Sequence, residues 1–131
     1  MKREPGSDAD DLARAVIGAA IEVHRALGPG FLESVYEEAM CVELRLRGIP
    51  FERQPDVPLE YKSVPVGNAR PDLTVGSALI VELKAIDAFA PIHTAQAISY
   101  LKATGRELAL LINFNEVTLK DGIKRVVLSG R

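Results

Sequence analysis

The chain has 131 residues, 47% of them apolar and 26% charged, and its formal net charge is −2. That length suits one domain over residues 1–131 and leaves little room for a second core. No apolar run approaches the roughly 18–20 residues needed to cross a bilayer, and one cysteine, Cys41, excludes an intrachain disulfide or a thiolate zinc site.

The opening Met1-Lys2-Arg3-Glu4-Pro5 is basic but has no apolar segment behind it, so no secretory signal is expected. With Cys41 on a buried helix face, this fits a cytoplasmic protein. Residues 1–66 carry 8 basic against 12 acidic side chains, and residues 67–131 carry 8 against 6, so the second half is about +2. There is no basic tail or stripe, and tight sequence-specific nucleic-acid binding by an isolated monomer is not expected.

Residues 1–7 read as a flexible start, with Ser7-x-x-Asp10 as a capping box. Leu12, Val16, Ala19, Ala20, Val23 and Leu27 then recur at helical spacing, and Gly28-Pro29-Gly30 stops that helix. His24 is expected at a solvent-exposed position on it. A second helix is predicted over 32–47, with Val35, Ala39, Val42 and Leu46 on its apolar side, before Gly48-Ile49-Pro50.

The period then becomes strand-like. Strands are predicted over 51–54 and 57–62, a turn region over 64–67, and a hairpin whose arms, 69–75 and 78–84, are joined at Gly76-Ser77. An apolar loop over 86–91 carries Asp87 just beyond the hairpin. A helix over 92–104 ends at Gly105, a natural left-handed cap. Residues 108–112 read as a strand covered on both faces, 115–122 as turns, and 124–128 as an edge strand. The order α-α-β-β-β-β-α-β-β predicts an α/β (α+β) fold, a mixed central sheet flanked by helices.

The hairpin carries the residues with chemistry. Asp72 lies on its first arm, and Glu82 and Lys84 on its second, two apart and so on one face, with Leu83 turned into apolar packing. Pairing the arms brings two carboxylates and an ammonium to one patch. The bland reading is a solvated strand face with an incidental ion pair. Against it, the second arm is strongly apolar, and ionised groups there need partners or a metal. An all-oxygen donor set suits Mg²⁺ or Mn²⁺ better than zinc.

Other candidates stand on helices. Glu33 and Tyr36, three apart, share one face; Glu33 in a first turn also favours the helix dipole. Tyr36 either hydrogen-bonds a site carboxylate or only packs. His93, Gln96 and Tyr100 form one stripe, and Arg70, Lys102 and Arg106 are candidate phosphate contacts. No Gly-rich phosphate loop, nucleophile elbow or Ser/His/Asp arrangement is present.

Pro71-Asp72, nine residues, then Glu82-x-Lys84 resembles the PD-(D/E)xK nuclease superfamily. Gln96-Ala97-Ile98-Ser99-Tyr100 looks like the QxxxY element of many such nucleases. Gly30-Phe31-Leu32-Glu33-Ser34-Val35-Tyr36 spells the signature of the bacterial GxxExxY family, and the likeness runs over about residues 10–128. The resemblance implies a restriction-endonuclease-like core and hydrolysis of nucleic-acid phosphodiesters by metal-activated water, with DNA the first expected substrate and RNA the second. It implies Mg²⁺ or Mn²⁺ held by Asp72, Glu82 and the Leu83 carbonyl, with Glu33 completing the shell. Gln96 would bond a phosphate, a water or Glu82, with Tyr100 bracing it.

Lys84 would stabilise charge as an ammonium or accept a proton as an amine, and the sequence leaves both open. Dimerisation, as in small resolvase-like nucleases, would extend the reach over nucleic acid. The alternative is a catalytically silent assembly module that meets a protein partner through the 86–92 loop.

Overall fold

The computed structural model describes residues 7–128. The expected flexible start falls outside the described residues up to residue 6, and so does the expected Ser7 side-chain cap.

Helix α1 (Ser7–Leu27) has Asp8 and Asp10 in its first turn and His24 and Arg25 in its last, the signs that suit its dipole. Its buried face is Ala9, Ala13, Val16, Ala19, Ala20 and Val23, with Leu12 and Leu27 at the margin. His24 is not exposed, as its polarity had suggested. It is buried near Phe114, and its Nε2–H donates to the Glu116 carbonyl at 2.7 Å.

Helix α2 (Glu33–Leu46) is turned about its axis from the predicted orientation. Tyr36, Glu37, Met40, Cys41 and Leu44 face inward. Val35, Val42 and Leu46 are exposed, Leu46 to 77%. Both sets have helical spacing, but Tyr36, Met40 and Leu44 are the larger stripe and bury more apolar area. Tyr36 stacks on Phe114 at 4.6 Å between centroids.

The strands are β1 (Phe51–Arg53), β2 (Val57–Tyr61), β3 (Val64–Ala69), β4 (Leu73–Val75), β5 (Leu79–Lys84), β6 (Leu108–Asn113) and β7 (Ile123–Val127), with helix α3 (Pro91–Thr104) between β5 and β6. Five of them form a mixed sheet in the order β1-β4-β5-β6-β7. Only its β5–β6 pair is parallel, the register that an intervening helix permits. Strand β3 was expected as a turn, because Pro65 and Gly67 disfavour strand. It instead pairs with β2 as a separate two-stranded ribbon. Lys62 and Ser63, at φ 50° and 67°, make its tight turn.

The period of two divides the main sheet. Leu73, Val75, Leu79, Val81, Leu83, Leu108, Leu110 and Ile112 join the core under α1 and α2. Ile80, Ala109, Leu111 and Val126 pack against Ala97 and Leu101 of α3. A Cβ at Gly122 would lie 2.3 Å from the Asn113 carbonyl oxygen, so only glycine fits where the chain re-enters the sheet. Among the described residues, three helices on a mixed five-stranded sheet give the expected α+β, restriction-endonuclease-like architecture. No described helix is long and apolar enough to cross a membrane.

Candidate functional site

The site sits where β4 and β5 diverge. The register pairs Val75 with Leu79 and Leu73 with Val81, so Asp72, one step beyond β4, comes opposite Glu82. Each carboxylate then accepts a hydrogen bond from the opposite segment. The Asp72 backbone N–H donates to Glu82 Oε2 at 2.8 Å, and the Leu83 N–H donates to Asp72 Oδ2 at 2.8 Å. These two bonds hold both side chains at one place. Lys84, on the same strand face as Glu82, brings its Nζ to 3.9 Å from Glu82 Oε1. Leu83 points the other way into the α1–α2 core. A strand residue directs its N–H and C=O to the same edge, so the Leu83 carbonyl faces the Asp72 side.

The site is electrostatically loaded. Burial pushes the Asp72 carboxyl up to about 6, although the Leu83 N–H opposes this; Glu37 and Glu33 add to the rise and Lys84 reduces it. Burial pushes Glu82 further, to about 8, with the neighbouring Asp72 charge the next cause. The Tyr100 phenol is raised by its burial and then by Glu82 and Asp72, which places α3 within electrostatic reach of the pair.

The remaining sequence candidates divide. Glu33, half-buried at the start of α2, acts on both carboxylates through space, with no hydrogen bond to them among the described residues. Gln96 is exposed on α3. His93 caps its own helix, where Nδ1 accepts the Ala90 N–H at 2.9 Å. Tyr36 does not reach a site carboxylate: its hydroxyl donates to the Gly28 carbonyl at 2.6 Å and accepts the Phe31 N–H at 3.1 Å, tying down the α1–α2 loop. Arg70 bonds Asp56, and Arg106 donates to the Gly76 carbonyl. Asp87 is exposed in its loop.

Other side chains emerge only from the three-dimensional arrangement. Glu37, one turn beyond Glu33, is buried, and its Oε2 accepts from Arg53 Nε at 2.7 Å and Gln54 Nε2 at 2.8 Å. Buried Asn113 secures the loop after β5, bonding both the N–H and the carbonyl of Ile86. The inward Tyr36–Met40–Leu44 stripe was the available signal for Glu37; a lone asparagine ending an apolar strand carries none for Asn113.

A divalent cation fits this donor set. The donors are oxygens, and burial pushes both carboxyls up, with the Asp72 charge adding to the rise of Glu82. Among the described residues no three His, Cys, Asp or Glu side chains close into a ready-made cluster; Asp72 and Glu82 would hold the ion, with the Leu83 carbonyl on the same side.

No curated protein and no solved structure matches the chain. A family model described as the PD-(D/E)XK nuclease superfamily matches residues 10–126, nearly the whole of the folded region. With Asp72, Glu82 and Lys84 meeting on the β4–β5 hairpin inside that match, the chain belongs to the PD-(D/E)XK nuclease superfamily.

Proposed function

We propose that the protein is a Mg²⁺- or Mn²⁺-dependent nuclease that hydrolyses phosphodiester bonds, of DNA rather than RNA, in the cytoplasm. The observation that carries this reading is the reciprocal Asp72–Glu82 lock with Lys84 beside it. A bound divalent cation would supply charge neutralisation for an incoming phosphate and a lowered pKa for an attacking water.

The chain's own residues do the rest. Asp72 and Glu82 would hold the cation as carboxylates, and the proton that burial keeps on Glu82 would leave as the ion binds. Lys84, only 17% exposed at its side chain, presents an ammonium to the same spot and favours the extra negative charge of the phosphorane-like transition state. The Tyr100 phenol, raised by its burial and then by the carboxylates, stays protonated and remains a hydrogen-bond donor at the edge of the site. Glu33 adds negative charge from the start of α2 and would support a second cation. A homodimer would extend the contact with the polymer.

Incubation of the wild type with Mg²⁺ or Mn²⁺ and single-stranded, duplex and branched DNA, with RNA alongside, tests the reading. Metal-dependent cleavage that Lys84→Ala abolishes is the expected result. Absence of cleavage by wild type on every substrate, with no Mn²⁺ uptake by calorimetry, would instead leave a silent module that meets a partner through the 86–92 loop.

A further inference from the structure

We propose that Glu37 and Gln54 act as a brace that positions Asp72 and thereby sets the cation affinity of the site. The inference rests on the metal-dependent reading above and deepens it.

Asp72 lies just outside the regular ladder. The β1–β4 pairing ends at Arg53 opposite Leu73, and Asp72 is the next residue. Its main chain is instead held by the Gln54 N–H, which donates to the Asp72 carbonyl at 2.8 Å. To make that bond, Gln54 takes a left-handed backbone at φ 48°, a conformation glutamine rarely adopts. Asn and Asp tolerate it through short local hydrogen bonds, whereas the Gln54 side chain has its partner on another element. Glu37 is that partner, as its Oε2 accepts from Gln54 Nε2 at 2.8 Å. The same oxygen accepts from Arg53 Nε, so one buried carboxylate fixes two consecutive residues at the end of β1.

Glu37 is itself rigid, because Tyr36, Met40 and Cys41 beside it on α2 are fully buried. Position thus passes from α2 through Glu37 and Gln54 to the Asp72 backbone, while the Leu83 N–H holds the Asp72 carboxylate from the other side. Groups that orient a metal ligand in this way control affinity without touching the ion. The Glu37 charge also falls on Asp72 through space. Glu37 and Gln54 are therefore positioning residues.

Calorimetry with Mn²⁺ alone, paired with melting temperatures, tests the brace on wild type, Gln54→Gly, Glu37→Gln and the double variant. Glycine accepts φ 48° without strain, so Gln54→Gly should keep its melting temperature while its Mn²⁺ affinity falls about tenfold. Glu37→Gln should weaken Mn²⁺ binding to a similar degree, and the double variant should be little worse than Glu37→Gln, as expected of residues acting in series. Unchanged affinity in Gln54→Gly, or single losses that simply multiply in the double variant, would overturn the brace and leave the nuclease reading intact. A wild type that takes up no Mn²⁺ would remove both.

Discussion

Two hairpins follow one another in this chain and meet opposite environments. The β2–β3 ribbon stands apart from the main sheet, with Tyr61, Val64 and Val66 largely in solvent. The β4–β5 hairpin lies inside the sheet and is buried from Leu73 to Val75 and from Leu79 to Leu83. Both are flanked by charges. Arg70 and Asp56, beside the first, form a close ion pair that is more than half exposed on each side. Lys84 and Glu82, on the second, are less well aligned at 3.9 Å yet deeply set. Water screens the first pair to little consequence, whereas burial, and next the Asp72 charge, pushes the Glu82 carboxyl of the second up to about 8. Each pair joins one acidic and one basic side chain, so the difference between them comes largely from where the charges are placed.

The sharpest way to break this contrast is Lys84→Ala. Cleavage should fall about 10³-fold, near 4 kcal/mol of barrier, while Lys62→Ala at the tip of the exposed ribbon should leave it unchanged; a rate assay on one substrate compares the two directly. Packing offers the next test. Leu83→Ala should cost about 3 kcal/mol in urea unfolding because it opens a cavity in the main core, against less than about 0.5 kcal/mol for Val66→Ala.

Proton linkage gives a smaller, pH-dependent effect. Glu82 in the folded, metal-free protein titrates near 8, against 4.5 for an unperturbed glutamate. The folded state therefore binds this proton more tightly than the unfolded chain. Its contribution to stability is greatest below the unfolded value, falls as pH rises between the two, and is flat above the folded one. Asp72, raised from 3.8 to about 6, adds a slope of the same sign over a lower window. Glu82→Gln should flatten the higher window and raise the metal-free melting temperature above about pH 8, although activity is lost. A divalent cation should raise the wild-type melting temperature more at high pH than at low, since protons must leave first. The smallest effect belongs to the exposed pair: Arg70→Ala should change unfolding free energy by less than about 1 kcal/mol, and a larger loss would refute the contrast.

The site hairpin was legible because three signals agreed: alternation with Leu83 against Glu82 and Lys84, a glycine-led turn, and a continuous apolar arm. Residues 108–112 were equally clear, because a strand covered on both faces is apolar throughout. The orientation of α2 was not. Val35, Ala39, Val42 and Leu46 satisfy the helical period as well as Tyr36, Met40 and Leu44 do, and the larger side chains of the second set, with the ring of Phe114 stacked on Tyr36, favour the observed face. That one rotation hid Glu37, since a glutamate beside a predicted solvent face reads as solvated. It also hid the role of Tyr36, whose partners are main-chain atoms of the preceding loop. The 64–69 strand was obscured by Pro65 and Gly67, which are tolerated because β3 pairs with β2 alone, outside the main sheet.

The crossed bonds between Asp72 and Glu82 have a consequence for assembly. Each acid is held by an amide on the other arm, so neither can be seated unless the arms are aligned to the residue. A slip of one position would turn Glu82 into the α1–α2 core and carry Leu83 out of it. Misaligned chains would then lack catalytic competence as well as stability, so a newly made molecule gains its chemistry only once its strands are correctly matched.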